Sequence, residues 1–311
     1  MPNLNYAEQW SPELLEILMQ GTLTSPFITQ NVKWLGAKTF HFTQMSTSGY
    51  KNHSRNGGWN RGDFNQTDVP FTVTHDRDVE FLVDKADVDE TNATASIQNI
   101  SRTFEQTHVA PETDALFFSK VAAAAKATEG YHSETAATDY TTANTFGKLK
   151  AFLGAGKLRR YKANGTLMMF VTSAIMDNLE ASTEFTRKIE MTQIAEGGLG
   201  IETRVTDIDG VPVMEVIDDE RFYDAFNWEP ELGGFEPAAG AHKINVLVAC
   251  GQTCKTVPKI SSIYYFEPGA HTEGDGYLYQ NRSLSDTFVF PNGKDGKIDS
   301  VYVDIDTTAV A

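Results

Sequence analysis

The sequence is poor in cysteine. Only Cys250 and Cys254 occur, in the stretch VACGQTC, and no nearby histidine completes a metal site of the usual spacing. A disulfide-rich secreted domain would have more cysteines in a shorter chain. We therefore expect two reduced thiols at the end of a strand, and no metal.

Long apolar runs are also absent. No run approaches the roughly 20 residues that span a membrane, and residues 1–5 lack the basic and apolar regions of a signal peptide. We expect a protein that is made in the cytoplasm and is not inserted in a membrane.

Basic side chains are outnumbered, with 26 lysines and arginines against 42 acidic residues and a formal net charge of −16. Such a chain disfavours non-specific wrapping of nucleic acid, which depends on contacts between basic residues and phosphates. Any role near DNA is then containment or local contact.

One stretch reverses this balance. Residues 140–176 contain no acid, and six basic residues lie close together there. We call them the basic cluster: Lys148, Lys150, Lys157, Arg159, Arg160 and Lys162. The cluster is either a docking site for an acidic neighbour or for phosphates, or a solvated helix end and loop.

Catalytic motifs are missing as well. There is no G-x-S-x-G, phosphate-binding loop, H-E-x-x-H or dinucleotide fingerprint, and the seven histidines are scattered. We expect neither an enzyme nor a cofactor. The enzyme alternative is a metal-dependent hydrolase that uses Asp207, Asp209 and Asp218, whereas the simpler interpretation places these carboxylates in solvated turns.

Periodicity predicts an α+β chain without internal repeats. We expect a short helix after Ser11, then two strand-like segments, 39–45 and 69–83, around a polar insertion of about twenty residues, much longer than an ordinary hairpin turn. Helices are predicted over 87–104, 111–125 and 141–153, with another over 174–179. Strands are predicted over 166–172 and 243–249, a hairpin turns at Asp209-Gly210, and 286–290 pairs with 300–305 to close the fold.

Several stretches carry a resemblance to a known family. They are VEFLVDKADVDETN at 79–92, PETDALFFSK at 111–120, DGVPVMEV at 209–216, KINVLV at 243–248 and NRSLSDTFV at 281–289. Together they resemble the major capsid proteins of tailed double-stranded DNA bacteriophages, which have the Hong Kong 97-like fold. The resemblance spans most of the chain, although each motif is loose.

The resemblance implies an organisation in four parts. These are an N-terminal arm at 1–37, an extended loop at 38–82, a peripheral domain with the spine helix at 83–165 and 286–311, and an axial domain at 166–285.

The resemblance also implies a function. The chain would be a structural subunit of an icosahedral phage head, forming hexamers and pentamers that enclose DNA without sequence specificity, in virions assembled in the bacterial cytoplasm. No fused assembly domain precedes the arm, so a separate scaffolding protein, or none, is expected, together with a portal. Binding of a decoration protein stays open. The nearest alternative is an encapsulin-type nanocompartment shell, which has the same fold but holds cargo enzymes.

The polar insertion would then be the tip of the extended loop. Lys51, Arg55, Trp59 and Arg61 are predicted to contact a neighbouring subunit, with Trp59 as the anchor. We also expect Phe40, Phe42, Phe71 and Val73 to need a partner's surface.

Two further interpretations of the insertion carry less weight. The tripeptide Arg61-Gly62-Asp63 suggests an adhesion module, but its residues are common. A covalent crosslink between Lys51 and Asn292 would require a buried catalytic acid that the sequence does not identify, and we do not expect one.

Overall fold

A computed structural model describes residues 20–86, 97–182, 190–194 and 201–310, apart from 31, 33, 35, 54, 56, 58, 273 and 293–295. The predicted helix after Ser11 and the predicted helix start over 87–96 lie outside the described residues. The α-helices are α1 (Ile97–Phe104), α2 (Ala110–Lys126), α3 (Thr145–Leu153), α4 (Arg159–Lys162) and α5 (Ser173–Glu180).

The strands are grouped along the chain rather than alternating regularly with the helices, as in an α+β protein. They are β1 (Thr39–Thr47), β2 (Phe64–Thr72), β3 (His75–Asp84), β4 (His132–Glu134), β5 (Leu167–Thr172), β6 (Glu190–Ile194), β7 (Ile201–Ile208), β8 (Val211–Val216), β9 (Phe226–Asn227), β10 (Glu236–Pro237), β11 (His242–Cys250), β12 (Cys254–Phe266), β13 (Gly276–Val289) and β14 (Tyr302–Ala309).

A mixed seven-stranded sheet forms the centre, in the order β4-β14-β11-β5-β8-β7-β6. β5 lies between β11, to which it is antiparallel, and β8, to which it is parallel. Both β5 and β11 were predicted from their continuous apolar runs, and both are confirmed. The β7–β8 turn at Asp209-Gly210 is also confirmed, with φ angles of 56° and 81° that suit a type I′ hairpin.

Helices cover both faces of this sheet. On one face α2 packs Phe117, Phe118 and Val121 against the sheet residues Phe170 and Leu247. On the other face the side chains come from α3, α4 and α5, and they pack against the alternate residues of the same strands. Coverage on both sides explains why β5 and the second half of β11, 246–250, are apolar at nearly every position.

The long helix differs from the prediction of two separate helices. α1, a π-helical turn at Glu105–Val109 and α2 follow one another without a break, and the backbone at Val109 and Ala110 is already helical. A proline inside a helix lacks an N–H and its ring clashes with the carbonyl four residues earlier. Here the wider π turn lies directly before Pro111, so the helix continues through it.

The third predicted helix begins four residues later than expected, at Thr145 rather than Thr141. Asn144 Oδ1 accepts a hydrogen bond from the Thr141 amide at 2.9 Å, which favours a turn over 141–144. The end at Gly154 and the predicted helix at 174–179, observed as α5, are confirmed.

The predicted closing pair of 286–290 with 300–305 is wrong. β13, which contains 286–289, pairs with β12 and β3 in a three-stranded sheet. β14 instead pairs with β11 in the central sheet. The residues between β13 and β14 connect two different sheets. Their turn signals are the same as those of a hairpin, so local sequence does not distinguish the two cases.

Candidate assembly interface

The segment predicted to be the extended loop contains a two-stranded antiparallel hairpin. β1 and β2 pair through nine residue pairs, from Thr39 with Thr72 to Thr47 with Phe64. The prediction of two strands around a long insertion is confirmed for β1 and β2. The second predicted segment, 69–83, is not continuous, because it divides into the end of β2 and most of β3, which pairs with β13 in another sheet. Residues 48–63, which we call the hairpin loop, connect the two strands.

Backbone contacts hold the hairpin loop where it leaves the strands. The amide of Ser48 donates to the carbonyl of Asp63 at 2.8 Å, and the amide of Asp63 donates to Ser48 Oγ at 2.9 Å. Further out, Asn60 Nδ2 donates to the carbonyl of Asn52 at 2.9 Å. Asp63 of the Arg-Gly-Asp tripeptide therefore lies at the neck of the loop.

The predicted contact residues all point to solvent. Lys51, Arg55 and Arg61 are exposed, and Trp59 has 95% of its surface exposed. Met45 and Phe64, at the ends of the strands beside the loop, are also exposed. Large exposed apolar side chains on a protruding element are typical of a protein interaction surface.

The base of the hairpin corrects one expectation. Phe40 and Val73 are buried within the chain itself, where they pack with Val257, Leu284 and Phe290. Phe71 is half-buried beside them. β1 begins and β2 ends next to the β12–β13 sheet, so the residues at the base of the hairpin have apolar neighbours within the same chain. Only the outer part of the hairpin lacks cover.

Phe42 marks the transition between the two parts. Its ring stacks on that of Phe290 at 4.6 Å between centroids, yet 38% of its surface remains exposed. The apolar side chains that remain exposed within the chain therefore begin at Phe42 and continue to the hairpin loop.

The basic cluster is partly neutralised. Lys150 Nζ and Lys162 Nζ lie 3.7 and 3.6 Å from the carboxylate of Asp209, and Arg160 forms an ion pair with Asp299 at 2.5 Å. Lys148 donates to the carbonyl of Asp139 at 3.0 Å.

Two members of the basic cluster keep their charge available. Lys157 and Arg159 are exposed, and among the described residues neither has an ion pair. The surface that the cluster offers to phosphates or to an acidic neighbour is therefore smaller than the sequence indicates.

The three carboxylates of the hydrolase alternative do not converge. Asp207 and Asp209 lie at the β7–β8 turn, whereas Asp218 follows the opposite end of β8, roughly 20 Å away at the rise of a strand. Asp218 accepts from Arg221 Nη2 at 2.8 Å, and Asp209 pairs with lysines. Within the described ranges, no group of three or more acidic, histidine or cysteine side chains is placed to hold a metal ion.

The two cysteines are free thiols, as predicted. Cys250 ends β11, Cys254 begins β12, and both are buried. Burial raises the pKa of the Cys254 thiol to about 12.

A buried ion pair that sequence reasoning missed fixes the start of the described chain. Arg221 donates to Asp114 at 3.0 Å and to the carbonyl of Gln20 at 3.0 Å. Asp114 accepts from the amides of Leu23 and Thr24 at 2.9 and 3.0 Å. Burial raises the pKa of the Asp114 carboxyl, although Arg221 and these donors act in the opposite direction.

Asn292 contacts its own chain. Its side-chain amide donates to the Tyr161 hydroxyl at 3.4 Å, and that hydroxyl donates to the buried carboxylate of Asp299. Burial, and then the contact with Asp299, raises the pKa of Tyr161. No residue in this group contacts Lys51 in the described part of the chain.

The chain was compared with known proteins. No protein-family model matches the sequence, and no curated protein matches it. Solved structures do match over nearly the full length. The asymmetric unit of the bacteriophage PhiM1 mature capsid is 12% identical, with a TM-score of 0.64, 98% of this chain and 93% of that chain covered. The capsid of cyanophage P-SCSP1u is 11% identical, with a TM-score of 0.62 and coverage of 97% and 93%.

The capsid of Ralstonia phage GP4 is similar as well, at 11% identity and a TM-score of 0.56, with 98% of this chain and 96% of that chain covered. The chain has the Hong Kong 97-like capsid fold. This confirms the fold expected from the resemblance. Among the described residues of this capsid fold, no helix is both long and apolar enough to cross a membrane.

Proposed function

We propose that the protein is the major capsid protein of a tailed phage, a shell subunit that assembles with copies of itself into hexamers and pentamers around double-stranded DNA. The observation that carries the proposal is the similarity to phage capsids over 98% of the chain. The subunit turns over no substrate and uses no cofactor. Its location is the virion, after assembly in the host cytoplasm.

The proposed parts follow the four ranges given by the resemblance: arm 1–37, extended loop 38–82, peripheral domain 83–165 with 286–311, and axial domain 166–285. The pairing of β14 with β11 joins the last segment of the peripheral domain to the axial domain. The central sheet would then be shared by both domains, so that they respond together to forces in the shell.

Obligate assembly accounts for the exposed hairpin loop. A shell subunit contacts several copies of itself, and a protruding element with an uncovered tryptophan and three basic side chains suits such a contact. The same loop on a monomeric protein would leave Trp59 and Met45 permanently in water.

Deletion of residues 50–64 tests the proposal. We expect a folded subunit that fails to form closed shells, because the base of the hairpin keeps its own core while the contact surface is lost. Phe40→Ala, in that core, serves as the control for loss of folding. Normal particles from the deletion variant would refute the role of the loop.

The encapsulin-type shell is the second candidate, since it has the same fold. The similarity to phage capsids favours a shell that contains DNA. Electron microscopy of native particles separates the two, because tail-less shells filled with cargo protein and devoid of nucleic acid would support the nanocompartment. The hydrolase and the adhesion module are not favoured by this fold.

We propose that the shell is held by non-covalent contacts and that a scaffolding protein and a portal act as separate partners. Monomer bands from boiled particles on a denaturing gel would show that the contacts between subunits are non-covalent. A ladder of covalent multimers under reducing conditions would contradict it and point to a crosslink between Lys51 and Asn292.

A further inference from the structure

The three-stranded sheet of β12, β13 and β3 has two edges of different character. β3 forms one edge and carries exposed acids at alternate positions, namely Asp76, Asp78, Glu80 and Asp84. Charged side chains on an edge strand discourage it from pairing with another strand, and like charges directly opposite one another repel. The edge at β3 is therefore protected against pairing with a second copy of itself.

The other edge, β12, is covered only along its first residues. Ile28 forms a bridge with Thr256, and Lys259 Nζ lies 4.0 Å from the centroid of the Trp34 ring. Over residues 260–266, which we call the open edge, β12 pairs with β13 on its inner side. No other strand in the described part of the chain pairs with the outer side of the open edge.

The open edge has none of the features that keep an edge strand unpaired. Its sequence, ISSIYYF, contains no charged residue, proline or glycine. Ile263, Tyr264 and Tyr265 are 58%, 54% and 48% exposed, and residues of these types are favoured in strands. A strand that presents backbone donors and acceptors together with exposed apolar side chains is a template for pairing with a further strand.

The open edge is complementary to itself. Two copies can be aligned antiparallel with Ile263 opposite the same residue of the second copy. Ile260 then stands opposite Phe266, and Lys259 stands opposite Glu267 at each end of the pair. The alignment places apolar residues in the centre and opposite charges at both ends, and opposite-charge and apolar cross-strand pairs are those that stabilise a sheet.

Neighbouring alignments lose this match. An alignment centred on Tyr264 places Lys259 opposite Gly269, so that the two ion pairs are lost. An alignment centred on Ser262 places Glu267 opposite Val257, which is fully buried in the part of β12 that is already covered. Charge and burial therefore select the alignment centred on Ile263.

We propose that the open edge pairs with the open edge of a second copy of this chain, antiparallel and centred on Ile263. The contact joins two three-stranded sheets into one six-stranded sheet. It is isologous, since both subunits use the same surface. A ring of five cannot be divided into pairs, so the contact joins subunits that belong to different rings. This inference rests on the proposed function and assigns one contact that links its hexamers and pentamers.

A single cysteine tests the pairing. Residues directly opposite one another in an antiparallel pair have Cα atoms about 4.5 or 5.5 Å apart, and a disulfide spans either distance. Oxidised particles of Ile263→Cys should therefore give disulfide-linked dimers on a non-reducing gel, when free thiols are blocked before denaturation. Cys250 and Cys254 are buried and should not contribute.

Tyr265→Cys is the matched control for the alignment. In the proposed pair this residue stands opposite Ser261 and is displaced from its own copy by roughly 13 Å along the strand. Tyr265→Cys alone should give monomers, and adding Ser261→Cys should give dimers. Dimers from Tyr265→Cys alone, with none from Ile263→Cys, would show a different alignment and overturn the proposal.

Charge provides a second test that needs no oxidation. Ile263→Lys places two lysines opposite one another and should lower the yield of closed shells, whereas the urea denaturation midpoint of the subunit should not change because the side chain is exposed. Lys259→Glu should also lower the yield. Adding Glu267→Lys should restore it, since the attraction is re-formed with opposite signs.

The outcomes separate this contact from the proposed function. Closed shells of Ile263→Cys that give no dimers, or Ile263→Lys shells at wild-type yield, would overturn the pairing and leave the proposed function intact. A wild-type chain that forms no shells would contradict the proposed function. Oxidation of the unassembled Ile263→Cys chain would then decide the pairing, with dimers supporting it and monomers overturning it.

Discussion

Arg221 Nη1 lies 3.0 Å from Asp114 Oδ2, and neither side chain has exposed surface. The pair joins α2, the segment after β8 and the backbone of residues 20–24. Each charge is desolvated and depends on the other and on backbone partners. The backbone of residues 20–24, the start of the described chain, is therefore held to the rest of the protein by this buried ion pair.

Removal of one partner should be costly. Asp114→Ala removes the fully buried partner of Arg221, which keeps only the partly exposed Asp218, and is expected to lower the free energy of unfolding by about 3–5 kcal/mol. Urea denaturation of the unassembled subunit measures this. Asp218→Ala is the matched control, because the Asp218 side chain is 20% exposed and is expected to cost less. A loss from Asp114→Ala no larger than that of the control would contradict the prediction.

Two aromatic residues of the extended loop should separate folding from assembly. Phe40→Ala removes a buried ring and should cost about 3–5 kcal/mol of subunit stability. Trp59→Ala should change stability by no more than about 0.5 kcal/mol because its side chain is exposed, yet it should prevent closed shells. Denaturation curves and particle yields measure the two effects. Trp59→Ala shells at wild-type yield would contradict the account.

The two thiols should not react with thiol reagents in the folded protein. Cys250 and Cys254 are buried, and burial raises the pKa of Cys254 to about 12, so the reactive thiolate is scarce below that pH. A thiol-specific colorimetric reagent at pH 8 should label neither cysteine in native protein and both after denaturation. Rapid native labelling would show that the β11–β12 connection opens.

The basic cluster should act through two of its members. Lys157→Glu with Arg159→Glu is expected to impair shell closure or DNA retention, because these side chains have no ion pair among the described residues. Lys150→Ala with Lys162→Ala, which removes only partly exposed pairs with Asp209, should leave both intact. Equal behaviour of the two variants, measured by particle yield and nuclease protection, would exclude the role.

Secondary structure was predicted most accurately where one local signal dominates. The apolar runs of β5 and β11 and the Asp209-Gly210 turn admit few alternatives, and the structure confirms them. The α1–α2 helix was divided in two because Pro111 is a strong start signal, and a π turn that accommodates a proline has no local signature. The pairing of β13 and β14 failed because partner strands far apart in sequence decide it.

Parts of the candidate interface could be predicted from local sequence and parts could not. Length and polarity predicted the protruding hairpin and its exposed tip. The burial of Phe40 and Val73 depends on β12 and β13, which pack against the hairpin only after folding. The hydrogen bond from Arg77 to the carbonyl of Trp228 and the Arg221–Asp114 ion pair join residues 151 and 107 positions apart, so local sequence does not reveal either contact.

Electron cryomicroscopy of particles formed by the expressed chain tests the central claim most directly. The account predicts closed icosahedral shells of hexamers and pentamers in which the hairpin of each subunit crosses onto its neighbour. A chain that stays a folded monomer in light scattering and forms no shells, even with its scaffolding partner supplied, would contradict it.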